Sequence, residues 1–529
     1  MTERQASAPS AWGESFTITP SDLEFINNLL LEEGVPLACE AMAQALVPER
    51  LRQEARRRAN LTVSQKIYQP KNRYQVNDDL VFPAMGLARG KVVGVRPGHN
   101  PDLGAFEVIL VRMDGGNREF AANLAVHHLN DVPLETISGT EELSAEEILS
   151  RWGSGVAQTI ERELEQQEEF LRIAGRWFPR SLVVPISPGH LNLAEAVLDV
   201  GGGGPLPTQA LLEHLDLPVG INPRLASFSL EYALQEDERF DEVGPSGVVM
   251  WFLKRLEPEG VRTPPALLNY HPIPYAPAQL PEWFQELERE IEDEWGSVPP
   301  PEQDEKEVTL TLTFPHWKVG TLPLTPRLAR LFPTAYQAPR VRFEFQDAQT
   351  GRAFPGWVVR PHRYVFGLAD WIGEKGLLPG AYVRVRQGQE SGQVILEAAT
   401  RRPTREWIRT ASVDGEGRLK FTMQKLSVGF EYDELMVLAV ASLADVDRAV
   451  ARYAHEKDWL LRLVVEVFRE LAKLNPQSTV HSRTLYSAVN VVRRLPPGPL
   501  MAELASRPYF DHVGDLYYRF DESRWVEAR

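Results

Sequence analysis

A single cysteine, Cys39, stands in the 529 residues. No intramolecular disulfide can form, and no cysteine-based zinc site exists. The residue lies inside the helix-like stretch "PLACEAMAQAL", where it reads as a small buried hydrophobe. Also missing is any apolar run of roughly 18 residues, the length a bilayer demands. The opening "MTERQASAPSAWGESFTITP" has no apolar core of a secretory signal. The expectation is a cytoplasmic chain with no membrane contact. Catalytic signatures are absent too: no G-x-S-x-G, no H-E-x-x-H, no nucleotide-binding glycine motif and no clean P-D…E-x-K nuclease pattern. The "GGGG" run at 201–204 lacks the Gly-Lys-Ser/Thr of a P-loop and reads as a hinge. His127 and His128 in "LAVHHLND" read as a surface turn. Neither an enzyme nor a cofactor is expected.

What is present is an ordinary globular composition, 43% apolar and 25% charged, in a chain too long for one core. Several domains of a multidomain α+β protein follow from that length. A net charge of −16 argues against general adhesion to polyanions, so local charge becomes the useful question.

Punctuation divides the chain. Residues 1–18 read as disordered. Residues 19–60 read as three short helices, with Thr19 as N-cap, Pro20 in the first turn and Gly34 as terminator; they resemble a helix-turn-helix unit. Residues 61–132 alternate apolar and polar between Gly, Pro, Asn and Asp, which fits a small SH3-like β-barrel. Across the junction, residues 50–73 hold eight Lys/Arg against Glu54 alone. Arg56, Arg57 and Arg58 are the phosphate-contacting candidates of that patch. Residues 133–189 read as acidic and helical, a solvated helix pair or partner surface. Residues 259–305 are rich in Pro and Glu, a linker carrying one acidic helix.

The stretch Phe-Asp-x-Val-Gly occurs twice, at Phe240 and at Phe510. Each copy follows helical text and precedes an aromatic run, "VVMWFL" or "LYYRF". Helices closed by a two-stranded ribbon are the order of a winged helix, which residues 190–258 and 455–529 resemble. In that family the third helix commonly enters the major groove. The helix expected at 223–236 offers Arg224 but also Glu231, Glu236 and Asp237, which suits a protein partner better than phosphate.

Residues 315–410 carry 15 Lys/Arg against 7 Asp/Glu, a local +8 inside an acidic chain. Aromatic residues interleave with them: Trp317, Trp357, Tyr364, Trp371 and Tyr382. Basic side chains neutralise phosphate, and flat rings stack on bases. A leading strand pair, "LARLFP", "DAQTGR", "RPHRYVF", a Trp-bearing helix and "GLLPGAYVRVR" follow one another over 306–411. That order resembles the B3-like pseudobarrel of plant transcription factors and of certain restriction-enzyme recognition domains. Two departures stand: Gly380-Ala381 replaces the usual Gly-Asp, and "LADWI" the usual Gly-Trp motif. The resemblance implies one DNA-gripping arm at His316, Trp317 and Lys318, a second at Arg360, His362, Arg363 and Tyr364, and Arg352 beside them. Residues 412–454 remain a connector of strands and helix. Two functions stand open: a multi-module protein that reads duplex DNA through the basic barrel, or a non-catalytic scaffold that binds protein partners through its acidic helices and the 190–258 module.

Overall fold

The computed structural model describes residues 12–13, 16–64, 66–82, 85, 88–100, 104–113, 116–130, 143–218, 220–296, 305–388, 392–453 and 459–525, with backbone alone at 57–64, 128 and 452. The chain divides into two compact units, Met1–Val184 with Ile221–Phe228, and Pro185–Gly220 with Ser229–Arg529. Both units mix helices and sheets, so the protein is multidomain α+β. The N-terminal segment expected to be disordered falls mostly outside the described residues. Trp12 and Phe16, however, are buried and stack at 5.3 Å.

In the first unit the caps read from sequence are in place. The Thr19 hydroxyl accepts from the Asp22 amide, Pro20 opens the helix Pro20–Glu33, and Gly34 ends it at φ 62°. The two helices expected next are one continuous helix, Cys39–Ser64, with Pro48 inside it. A proline forfeits one ladder bond, and burial of Met42, Leu46 and Val47 just ahead of it offsets that loss. Five strands are inserted after this helix: Lys66–Ile67, Asp79–Phe82, Ala88–Pro97, Glu107–Met113 and Gly116–Ala122, side by side in chain order. Leu80, Phe82, Val92, Ile109 and Val111 fill their core.

The acidic segment 133–189, expected to be helical throughout, departs from that reading. Residues 133–142 lie outside the described residues. The helix Ala145–Leu164 follows, with a capping box from Ser144 and Glu147. "FLRIAGRWFP" is then a hairpin, Phe170–Ile173 against Arg176–Pro179. Ala174 and Gly175 turn it at φ 47° and 75°. Leu171 and Ile173 point inward at period two, which a helix would not allow.

The same wiring therefore occurs three times. The first copy runs helix Pro20–Glu33, strand Leu37–Ala38, helix Cys39–Ser64, the insertion, helix Ala145–Leu164 and hairpin 170–179. The second runs Pro188–Val200, Leu206–Pro207, Thr208–Leu212, Pro223–Glu236, Phe240–Glu242 and Met250–Leu253. The third runs Trp459–Ala472, Thr479–His481, Ser482–Val489, Pro497–Ser506, Phe510–Gly514 and Tyr517–Phe520. In each three-stranded sheet the last strand lies between the other two. Leu37 faces Trp177, Leu206 faces Trp251, and Val480 faces Tyr518 across the same pair of strands. Phe170, Phe240 and Phe510 each open the second strand.

Both Phe-Asp-x-Val-Gly segments are hairpin strands, as the sequence predicts. Their glycines differ. Gly514 has φ +108° with open space around it and starts the turn. Gly244 has no left-handed backbone; a Cβ there would lie 1.9 Å from the Val248 carbonyl oxygen, so close approach requires glycine.

In the second unit, seven strands form one sheet in the order Glu307–Thr311, Tyr382–Gln387, Gln393–Ala398, Arg340–Asp347, Ala353–Val359, Tyr364–Phe366, Thr321–Pro323. Its two edge strands are successive in the chain, joined through the helix Phe314–Val319, and the sheet curls as a half-barrel around Val341, Phe345, Trp371 and Val383. Within it, "DAQTGR" is a tight turn whose Asp347 carboxylate accepts from the Thr350 amide and the Trp371 indole. A long antiparallel ribbon, Thr400–Val413 with Leu419–Phe430, follows. The expected linker is anchored in part. Helix Glu282–Ile291 buries Phe284, Leu287 and Ile291 in the C-terminal core. A Cβ at Gly498 would lie 2.0 Å from the Tyr275 hydroxyl.

Candidate nucleic-acid interface

The two arms read from sequence are topologically adjacent, but the chain itself occupies them. His316 is 1% exposed; its Nδ1 lies 2.8 Å from Thr321 Oγ1 and its Nε2 3.3 Å from Glu294 Oε1. The Trp317 indole donates to the Leu377 carbonyl at 2.7 Å. Lys318 pairs with Asp447. Tyr364 is 1% exposed, and its hydroxyl donates to the Gly260 carbonyl at 2.6 Å. Burial pushes that phenol up to about 12. Arg363 donates to the Glu294 carbonyl at 3.0 Å and stacks over Trp295 at 4.8 Å. Arg360 is exposed and donates to the Ala338 carbonyl, and Arg352 pairs with Glu374 at 2.8 Å. His316 and Tyr364 are buried and spent on intramolecular contacts, Trp317 and Lys318 are half-buried and engaged within the chain, and Arg352, Arg360 and Arg363 stay exposed. The acidic stretch 292–295 supplies partners to His316 and Arg363.

That stretch forms the most buried ionic cluster among the described residues. Arg494 reaches Asp293 at 2.6 Å and Glu294 at 2.7 Å, all three with side chains at most 3% exposed. Tyr486 donates to Asp293 at 2.7 Å, and Asn490 accepts from Arg494 at 3.2 Å. Burial disfavours the charge on Glu294, yet Arg494 and then His316 hold its carboxyl below the usual range. Each acid thus meets Arg494 and one further side-chain donor.

A second buried acid lies at Glu257. Its carboxylate oxygens lack a hydrogen-bond partner and sit 3.7 Å from Arg340, which also pairs with Asp241 at 2.5 Å. Burial, with Asp241 adding, pushes Glu257 up to about 8 from 4.5. The folded chain thus holds a proton that the unfolded chain releases. Its stabilising contribution is full below about 4.5 and is lost as pH rises through about 8. Glu257→Gln should flatten the fall in stability over that window, measured as melting temperature against pH. An unchanged slope would contradict it. No group of three metal-ligating side chains occurs among the described residues.

Part of the basic patch at 50–73 is engaged within the chain. Arg50 is clamped between Asp22 and the Phe16 ring. Lys66 pairs with Asp78 at 2.8 Å, and Lys71 donates to Asn130. Arg56 is exposed. Arg57 and Arg58 belong to the helix Cys39–Ser64, and their side chains lie outside the described residues. Cys39 opens this helix, and burial pushes its thiol up to about 12. A thiol-specific reagent at pH 8 should label the denatured chain and spare the folded one; rapid labelling of the folded chain would contradict that burial.

Sequence reading missed a different surface of the first unit. The helix Ala145–Leu164 buries Ile148, Val156, Ala157, Ile160 and Leu164. Its outer stripe is Ser150, Arg151, Ser154, Gly155, Gln158 and Arg162, all exposed at helical spacing. Three of the helix's neighbouring acids are engaged. Glu147 closes the capping box, and Glu161 and Glu165 pair with Arg172. A side chain at Gly155 would meet nothing within 4 Å. On the inserted sheet of the same unit, Lys91 faces Arg112, and Arg89 follows Lys91 at period two. All three are exposed, with no ion pair among the described residues. The signal was legible in "SRWGSGVAQTIER": cations and small polar residues at i, i+3, i+7 and i+11.

The third helices of the other two copies differ. Pro223–Glu236 buries Phe228, Leu230, Glu231 and Leu234, with Glu231 accepting from Thr208 at 3.0 Å. Pro497–Ser506 buries Leu500, Met501 and Leu504, and the acidic helix Glu282–Ile291 packs on it. Among the described residues, no helix is long and apolar enough to cross a membrane. The chain matches no family model, no curated protein and no solved structure.

Proposed function

We propose that the protein is a multi-module, non-catalytic duplex-DNA-binding protein whose docking face belongs to the first unit. The three repeated wirings are read as winged helices, the inserted sheet as an SH3-like barrel and the seven-stranded sheet as a B3-like pseudobarrel. The observation that carries the reading is the outer stripe of helix Ala145–Leu164, which places Arg151, Ser154, Gln158 and Arg162 on one free face. A third helix with such a face suits a major groove, where Arg and Gln find paired acceptors and donors on base edges. Arg89, Lys91 and Arg112 suit the flanking phosphates, which position the protein without specifying sequence. The B3-like barrel then serves as a scaffold rather than as the reader.

A second reading rests on the other two third helices. Their outer faces are covered within the chain, as in winged helices that act as packing or protein-binding modules. A gel shift of the full chain on duplex DNA across salt concentrations tests the first reading. Binding that weakens steeply with salt supports it. Absence of binding at low salt overturns it in favour of the scaffold.

A further inference from the structure

We infer that the ribbon Thr400–Val413 with Leu419–Phe430 carries a second site, a stacking platform for single-stranded nucleic acid. The proposed duplex face lies in the other unit and plays no part in the argument.

Trp407 is 63% exposed, the most exposed aromatic ring among the described residues. It faces Lys425 across the ribbon, while Arg405 faces Ser427 and Arg409 faces Met423. Alternation puts Arg405, Trp407 and Arg409 on one face with those three partners. Residues 400–430 hold seven Lys/Arg and three Asp/Glu. All three acids are engaged within the ribbon or beside it. Glu406 points to the opposite face and pairs with Arg401, and Asp414 and Glu416 pair with Arg418. Lys420 is spent on Glu470, and Arg409 donates to the Leu435 and Val437 carbonyls. Arg402, Arg405 and Lys425 remain exposed, with no carboxylate partner among the described residues.

The ribbon is also held rigid. Ile408, Val428 and Phe430 join the core of the seven-stranded sheet. Ala411, Leu419 and Phe421 join the C-terminal core. Trp407 thus stands on a strand whose flanking positions are anchored in two cores.

A flat uncovered ring beside the exposed Arg405 and Lys425, with no acid of the ribbon on its face, complements a ligand that joins anionic groups to flat apolar ones. A single strand offers both, since its bases are free to unstack onto an aromatic ring and its phosphates meet the cations. A duplex hides its base faces, and an acidic peptide has no ring to stack. A strand of either sugar fits, so the shared chemistry is the unpaired nucleotide.

The test is fluorescence anisotropy of the full chain with labelled oligo-dT and oligo-U of about 12 nucleotides, within the site sizes such surfaces take. Duplex DNA of the same length and polyglutamate are added as competitors. Trp407→Ala should weaken single-strand binding about tenfold or more, and Trp407→Phe should retain most of it. Arg405→Ala with Lys425→Ala should lower the salt slope by about 1.4, two phosphates' worth for a single strand. Equal affinity of wild type and Trp407→Ala would overturn the site, as would displacement by polyglutamate as effective as by oligo-dT. Arg151→Ala with Arg162→Ala should leave single-strand affinity unchanged, which separates failure of this site from failure of the duplex reading.

Discussion

Arg494→Leu is expected to lower the stability of the second unit by about 3–5 kcal/mol, because it leaves Asp293 and Glu294 as buried acids without their cation. The acids cannot escape to water: both are nearly inaccessible, and the helix that precedes them is anchored by Phe284, Leu287 and Ile291. Asn490 would lose its donor from Arg494 at the same time. Arg384→Ala is the matched control. Its pair with Glu397 is 3.4 Å long and exposed, so its loss should cost no more than ~1 kcal/mol. Thermal unfolding followed by far-UV circular dichroism reads both. Equal, small shifts for the two variants would mean that the 293–295 cluster does not hold the C-terminal core to the seven-stranded sheet.

Arg151→Ala with Arg162→Ala should weaken duplex binding by more than tenfold, since each base-edge arginine typically contributes about 1–3 kcal/mol. The helix itself should survive, because its buried face and its capping box are untouched. Gln158→Ala should relax base preference more than it lowers affinity, as a bidentate amide discriminates more than it attracts. Arg89→Ala, Lys91→Ala and Arg112→Ala together should weaken all duplexes alike and lower the salt slope by about 2.7. Unchanged affinity in the Arg151 and Arg162 variant would remove the helix from the interface.

Much of this fold was legible in the sequence. Thr19, Pro20 and Gly34 bounded a helix by capping chemistry, and Phe240 and Phe510 announced two hairpins through a shared motif. The copy at the start of the chain escaped because its hairpin reads Phe-Leu-Arg-Ile-Ala-Gly, without the aspartate, and because some eighty residues separate its second helix from its third. Pro36-Leu37 and Pro205-Leu206, each opening a short first strand, were the surviving trace. The site was less legible for a physical reason. Composition locates cations but not their partners, and the partners here lie far away in sequence: Glu294 for His316, Asp447 for Lys318, Gly260 for Tyr364. A Pro/Glu-rich stretch looks like a linker until its Phe284, Leu287 and Ile291 are seen to share one buried face.

The most direct measurement is amide hydrogen exchange of the full chain with and without a duplex of about 20 base pairs. The account predicts slowed exchange in the helix Ala145–Leu164 and in the strands Ala88–Pro97 and Glu107–Met113, with no change over 314–319 or 360–366. Slowed exchange at 314–319 and 360–366, with the helix Ala145–Leu164 unaffected, would contradict it and return DNA reading to the barrel arms.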